Sequence, residues 1–461
     1  MSLQPSLSIS SSALTHSLTL KQKLALSLIG IALLIQLIYW INFSTAHAGL
    51  YLLASLVLAS IGSLWYTWSV YHHEAKGIKN NAVWFSSLTN RGAWAWILAI
   101  LLTGFYILLY WFPQYLGQGE KANTGLVRLF DPLSMALKGK PASQWFVYGT
   151  MYTLIILLMG IKFIYKYRHN NYQIYRTISV MFFQTAIAFI LPEIMQGLNQ
   201  PYNDFKNIWP LNYYFFLDWH LDELIQHGVF GYFILFWGIL SFLIFTPILT
   251  YFFGKRWYCS WVCGCGGLAE TAGDPFRHLS DKSTKAWKIE RWIIHSVLVF
   301  VVIMTAAVLI NRFTGFNHYI LFSSYDLNKW YGFFIGSVFS GVIGVGFYPL
   351  MGSRVWCRFG CPMAAYLGIL QKVKSRFRIT VNGGQCISCG NCSTYCEMGI
   401  DVKAYAQKGQ DIVRSSCVGC GICAAVCPRG VLRLENGSLD IENRALESRT
   451  VHIKETDVRL L

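Results

Sequence analysis

Eight apolar runs govern what this chain can become, each close to the roughly 20 residues that a helix needs to cross a bilayer. They lie at 24–43, 49–71, 93–112, 145–165, 177–195, 229–252, 292–310 and 332–351. Lipid offers no water to an unpaired backbone group, so such runs fold as helices. Only 13% of the 461 residues are charged and 54% are hydrophobic, against about 25% charged in a soluble domain. Neither a wholly soluble fold nor disorder fits that balance. Trp94, Trp96, Tyr110 and Trp111 stand near the ends of the third run, where aromatic anchors sit at a membrane interface. The first run follows Lys21 and Lys23 and precedes Ala46-His47-Ala48, which imitates a cleavage site. It is longer than the roughly 7–15 residues of a signal-peptide core, and is read as an uncleaved span.

The formal net charge is +16, which invites a nucleic-acid partner. Its distribution argues otherwise. From residue 380 onward nine basic residues face nine acidic ones, so the whole excess belongs to the membrane part. Lys21 and Lys23, Lys76, Lys79 and Arg91, Lys166, Arg168 and Arg176, the basic stretch from Lys255 to Arg291, and Arg354 with Arg358 fall on alternate loops. The rule that cytoplasmic loops are rich in Lys and Arg makes this side the cytoplasm. The opposite loops are poorer, with Lys206 alone in 196–228, although 113–144 carries Lys121, Arg128, Lys138 and Lys140. An even number of spans puts both termini inside. Lys372, Lys374, Arg376 and Arg378 are expected to hold the last domain near the membrane face.

All thirteen cysteines lie between Cys259 and Cys427. Eight form two runs, Cys386-x2-Cys389-x2-Cys392-x3-Cys396 and Cys417-x2-Cys420-x2-Cys423-x3-Cys427-Pro428. This is the spacing of a bacterial two-cluster ferredoxin, in which the fourth cysteine of each run serves the other cluster. The expected ligand sets are Cys386, Cys389, Cys392 and Cys427 for one [4Fe–4S] cluster, and Cys417, Cys420, Cys423 and Cys396 for the second. Thiolates suit such clusters. Zinc needs four ligands per site and does not call for two runs of this form, and disulfides are foreign to a cytoplasmic domain. Gly390, Gly419 and Gly421 would let backbone N–H groups approach the sulfurs. Glu397 follows Cys396 where proline is common.

The other five cysteines follow the sixth and eighth apolar runs. Gly254-Lys255-Arg256-Trp257-Tyr258-Cys259 parallels Gly352-Ser353-Arg354-Val355-Trp356-Cys357 at an offset of 98 residues, which indicates an internal duplication. Cys263 and Cys361 complete two Cys-x3-Cys pairs, and Cys265 is left over. On a helix the x3 spacing would put both thiols of a pair on one face. The pairs could jointly hold a third cluster, exchange electrons or pass a metal as thiols, or serve structure.

The boundary pairs together with a C-terminal dicluster domain resemble the polyferredoxin-type membrane proteins of the NapH, NosR and CcoG families, over about 229–435. The resemblance implies electron transfer between the membrane and a redox partner. Three departures stand out. Gly264 replaces the proline of a Cys-x3-Cys-Pro motif. The flavin-attachment sequence of the NosR type is missing. The residues after Cys427 are too few for the extra span and outer domain of the CcoG type.

Weaker candidates remain. His295, at the start of the seventh run, could face a quinone, and His220, Glu223 and His227 would share one face of a helix able to bind metal or relay protons. Interfacial packing and a solvated amphipathic helix are the plainer readings of these. No Cys-x2-Cys-His haem motif occurs, and Gly341, Gly344 and Gly346 lack the strand–turn–helix setting of a dinucleotide site. The expected organisation is an N-terminal tail (1–23), five spans (24–228), a three-span module with the two boundary motifs (229–362), an amphipathic connector (363–379), a ferredoxin domain (380–435) and a polar tail (436–461). The expected class is an α-helical polytopic inner-membrane protein of about eight transmembrane helices with a cytoplasmic α+β dicluster ferredoxin domain. Its expected work is electron transfer between a quinone or partner protein and two [4Fe–4S] clusters, with no nucleic acid involved. The alternatives are a maturation reductase that handles a metal such as copper, and a redox-sensing scaffold.

Overall fold

The structure is a computed structural model that describes residues 18–41, 47–72, 89–316, 318–319, 322–437, 451–454 and 457–460. Ala46, Lys76, Lys79, residues 1–17 and residues 438–450 lie outside the described residues.

Among the described residues seven helices are long and apolar enough to cross a bilayer: Leu20–Trp40, Ala48–Tyr71, Ala93–Trp111, Gln144–Lys166, Asn171–Gly197, Gly228–Phe253 and Thr284–Thr314. Polar side chains start several of them. Thr19 and Gln22 form a reciprocal capping box, and Ser143, Asn170 and Ser283 accept from free N–H groups of the following turn. The apolar windows of the first two spans are 17% buried, against 39% for the seventh, so the first pair stands at the edge of the bundle and the seventh inside it.

The eighth run differs from the expected unbroken helix. Gly332–Ile343 is wound as a π-helix, residues 344–347 form turns, and Tyr348–Met351 adds a last helical turn. Three glycines and Pro349 account for the break, since glycine weakens a helix and proline removes a donor. The broken run still lies antiparallel to the third span. Tyr110 donates to the Gly336 carbonyl (3.4 Å) near one end, and Arg91 Nε to the Leu350 carbonyl (2.7 Å) near the other. A Cβ on Gly341 would come within 2.7 Å of the Tyr106 ring, so this glycine is a packing site.

Two expected outer loops carry structure. Within 113–144, the helix Gly125–Lys138 buries Leu126, Val127, Leu129 and Phe130, and Lys138 is itself buried, 2.8 Å from Glu193. The chain between the fifth and sixth spans folds back into the bundle. The Lys206 carbonyl accepts from the Tyr258 hydroxyl (2.7 Å), Phe205 from Trp237 Nε1 (3.2 Å), and Trp209 Nε1 donates to Thr305 (3.1 Å). Tyr258 lies beyond the far end of the 26-residue sixth span, a helix about 39 Å long. The boundary loop that carries Tyr258 itself turns back into the bundle, with Gly264 and Gly267 against Gln184 and Val180 of the fifth span, so the two segments meet near mid-depth. Irregular backbone is tolerated there because protein surrounds it.

The boundary cysteines do not share helix faces as the spacing suggested. Cys259 ends the short helix Arg256–Cys259, and Cys263 is the N-cap of Gly264–Thr271. Cys357 lies in a π-turn, Trp356–Gly360, and Cys361 caps Pro362–Val373 with its sulfur accepting from Ala364 N (3.4 Å). Pro362 occupies the first helical position, where a missing N–H costs nothing.

In the C-terminal domain Arg378–Val381 pairs antiparallel with Leu432–Glu435, and Ile379 bridges to Ile412. Short helices Asn391–Thr394, Val402–Gln407 and Ile422–Ala425 follow the cysteine loops. The tail, to which the sequence assigned no structure, contains the hairpin Val451–Lys454 with Asp457–Leu460.

Candidate iron–sulfur centre

The two cysteine runs interleave in space. Cys386, Cys389, Cys392 and Cys427 line one small recess. Cys396, Cys417, Cys420 and Cys423 line a second, whose remaining wall includes Ile379, Ile400, Val402, Ile412 and Val418. Gly390, Gly419 and Gly421 adopt left-handed backbone angles (φ 81°, 62° and 73°) in the loops between cysteines, a conformation that a side chain disfavours. Gly419 is also crowded, because a Cβ there would meet the Arg256 side chain at 2.5 Å and the Phe377 ring at 3.0 Å.

The recesses differ in exposure. Cys389 is exposed, and Ile387 beside it is 57% exposed. Cys417 and Cys423 are buried. The second recess is closed by the membrane part: Gln173 Nε2 donates to the Cys420 carbonyl (2.8 Å), Tyr172 to Gly419 (2.9 Å) and Ser260 to Val418 (2.7 Å). Burial pushes the Cys392 and Cys417 thiols up to about 11. The buried thiols of these two recesses are costly as bare thiolates. They fit a group that brings positive iron to each set of four, since a bound cation inverts the local preference for the neutral thiol.

A buried ionic core joins this domain to the membrane part. Glu397, fully buried, lies 2.9 Å from Arg277 and 2.8 Å from Arg354. Glu270 pairs with Arg176 (2.6 Å), Arg277 (2.9 Å) and Arg354 (2.8 Å). Asp274 pairs with Lys166 (2.6 Å) and Arg277 (2.8 Å). Burial opposes ionisation of Glu270, but its three arginines outweigh this and hold the carboxyl well below the usual range. Burial likewise opposes ionisation of Asp274, and Lys166 and Arg277 hold it down. Oxygens of Glu270 and Glu397 lie within 4.8 Å of each other and of Cys420 Sγ. The residue that breaks the ferredoxin pattern after Cys396 is therefore the domain's ionic anchor. Sequence reasoning tolerated Glu397 without a role and counted Arg176, Arg277 and Arg354 only as topology signals. Arg378, expected to face the membrane, is buried and donates to the Gly437 carbonyl (3.2 Å).

Both boundary pairs enter the same core as the ferredoxin cysteines, with Cys265 packed against it. Arg354 Nη1 reaches the Cys259 carbonyl (3.4 Å) and Cys357 Sγ (3.6 Å). Burial pushes the Cys259 thiol up to about 12. Cys263 moves the other way: the Cys265 thiol donates to it, and Lys206 nearby also favours its thiolate. Gly264 makes that approach possible, because a Cβ there would lie 3.2 Å from Lys206 Nζ and closer still to the Gln184 amide oxygen. The missing proline of the first motif leaves this gap. Lys206, read from sequence as a lone outer charge, was missed; the signal available was the long aromatic segment around it.

The weaker candidates disperse. His295 is half-buried, its Nδ1 donating to the Arg291 carbonyl (2.6 Å), in a small recess shared with Cys357 and Ser415. His220 is buried among Tyr214, Phe215 and Trp219, with Nδ1 3.8 Å from Glu223. His227 follows the end of that helix, and its N–H donates to the Glu223 carbonyl (3.3 Å).

A family model described as a 4Fe-4S dicluster domain matches residues 378–428. A second, described as a 4Fe-4S binding domain, matches twice, at 235–283 and 333–380, so the duplication seen around the boundary cysteines recurs in the match. The Escherichia coli (strain K12) protein named "Putative electron transport protein YccM" is 27% identical over 185 residues, 37% of this chain and 47% of the relative. The chain thus spans about half the length of that relative. No solved structure matches. With seven apolar helices among the described residues and these domains, the chain is a membrane-type iron–sulfur protein of the 4Fe-4S ferredoxin kind.

Proposed function

We propose that this protein carries electrons between a membrane quinone or a protein partner and two [4Fe–4S] clusters on the cytoplasmic side of a bacterial-type inner membrane. Cys386, Cys389, Cys392 and Cys427 would hold one cluster, and Cys417, Cys420, Cys423 and Cys396 the other. When bound, the clusters supply one-electron redox chemistry. The chain's residues bury the inner set, seal it with Gln173, Tyr172 and Ser260, and leave Cys389 at the surface. The observation that carries the reading is the sorting of the eight thiols into two recesses of four, one sealed and one open. Both termini lie inside in this reading, and the outer recess is where a redox partner meets the protein.

The test is iron and sulfide content of anaerobically purified protein, with low-temperature EPR during a redox titration. About eight irons per chain support the two ferredoxin clusters, and about twelve add a cluster at Cys259, Cys263, Cys357 and Cys361. Trace iron and sulfide refute the reading. A second reading, a maturation reductase that transfers metal, is favoured by the adjacent Cys263 and Cys265 thiols in the wall of a large cavity. Replacing Cys259 and Cys357 separates the two: loss of metal in a partner enzyme with intact electron transfer supports the second.

A further inference from the structure

A cavity of about 890 Å³ lies inside the membrane part. It is bounded by the fourth and fifth spans, the broken eighth run and the re-entrant segment. That volume sits toward the upper end of the roughly 300–1,000 Å³ typical of small-molecule sites. Four of its features bear on an occupant. Cys263, Cys265 and Cys357 form part of its wall, so an occupant meets the boundary thiols directly. Tyrosine rings dominate elsewhere, including Tyr106, Tyr148 and Tyr152; such rings stack on flat ligands and carry hydroxyl donors at their rims. A nitrogen donor, Lys206, and the Gln184 amide, whose oxygen faces Gly264, stand near the thiols. Lys206 is tied to Asp204 at 3.3 Å with donor capacity to spare, and Gln184 donates to Thr153 at 3.2 Å from a buried position. Finally, among the described lining residues there is no histidine, which leaves haem iron without its usual ligand.

A flat ring bearing oxygen acceptors, soluble in the bilayer and able to exchange electrons, satisfies all four. We propose that this cavity is the headgroup chamber for a membrane quinone or quinol, with Lys206 and Gln184 addressing the ring oxygen nearest Cys263 and Cys265. The redox purpose of the chamber rests on the electron-transfer reading above, whereas binding can be measured without it. His295, His220, Glu223 and His227, the candidates for quinone contact in the sequence, lie outside its wall.

The experiment uses the detergent-solubilised full chain. An azidonaphthoquinone photolabel is activated with and without excess menadione, and the labelled peptides are mapped. Labelling on residues 202–214 of the re-entrant segment, ahead of the helix that carries His220, or on the fourth and fifth spans, removed by menadione, is the expected result. Labelling confined to peptides around His220 or His295 overturns the proposal. Ala188→Trp and Ser340→Phe, which fill the chamber from two sides, are each expected to weaken menadione binding at least about tenfold while iron content and elution volume stay unchanged. Undiminished binding in both variants also overturns it. If a filled variant fails to fold, the photolabel map on the unaltered chain decides alone. Menadione binding without iron refutes the electron-transfer reading and leaves the chamber standing; iron without menadione binding refutes the chamber only.

Discussion

Replacing Glu397 by leucine removes the carboxylate that the ferredoxin domain contributes to the ionic core. In the native protein Lys166, Arg176, Arg277 and Arg354 face Glu270, Asp274 and Glu397. Four cations then face two carboxylates, and both arginines that touched Glu397 stay buried, since each is at most 1% exposed. Removing one partner of a buried pair costs about 3–5 kcal/mol, because the remaining charge has lost both water and its counter-ion. That lowers the ratio of docked to undocked domain by roughly a hundredfold to a few thousandfold. The assay is limited trypsin digestion of membranes at Lys374 and Arg376, just beyond the helix Pro362–Val373, with cleavage rates read against the unaltered chain. Faster cleavage of the connector with the spans intact is expected. Glu397→Leu combined with Arg354→Met is expected to recover part of the loss, because the uncompensated charge leaves with its partner. A cleavage rate equal to the unaltered chain's in Glu397→Leu would refute the claim that this core docks the domain.

Three further outcomes follow from the same geometry. Gly264→Pro restores the motif's proline but drives atoms into Gln184 and Lys206; overpacking of this kind costs about 1–3 kcal/mol, and thiol labelling of Cys263 and Cys265 is expected to rise as the pocket loosens. Cys389→Ser is expected to disturb the outer cluster's EPR signal and leave the inner one, whereas Cys420→Ser does the reverse; loss of both signals from either change would count against independent sites. The depressed carboxyls of Glu270 and Asp274, whose cationic partners all belong to the membrane base, stabilise that base above their unfolded values near 4, and that contribution is lost as the pH falls through their lower folded values. Cleavage within the loops of the base, probed with an acid-stable protease such as pepsin, is therefore expected to rise below about pH 4.

The spans and the cysteine runs were legible because each is written locally, as a run of apolar residues or as a fixed spacing. The broken eighth run was half legible: its glycines were noticed, but hydropathy does not report a π-helical winding. The re-entrant segment was not legible. Its polar groups, Asp204 and Lys206, look like those of a water-exposed loop, and only the Tyr258 hydroxyl and the gap at Gly264 explain why they are inside. Glu397 was hidden for a related reason. An isolated acid beside a cysteine reads as surface until arginines from two other parts of the chain, Arg277 and Arg354, close around it.

The sealing of the inner recess carries a consequence for biosynthesis. Gln173, Tyr172 and Ser260 close over the loop of Cys417 to Cys423, which leaves Cys417 and Cys423 buried and Cys420 only partly exposed to a delivery protein. If those cysteines hold the proposed cluster, metallation would come first and attachment to the membrane base second. Glu397 neighbours the last thiol of its run and also meets the two arginines of the base. In the proposed assignment a cluster bound through Cys396 would fix the residue next to Glu397, and so the carboxyl that meets the base. The ionic core would thus act as a checkpoint that admits finished domains and leaves unfinished ones exposed to proteases.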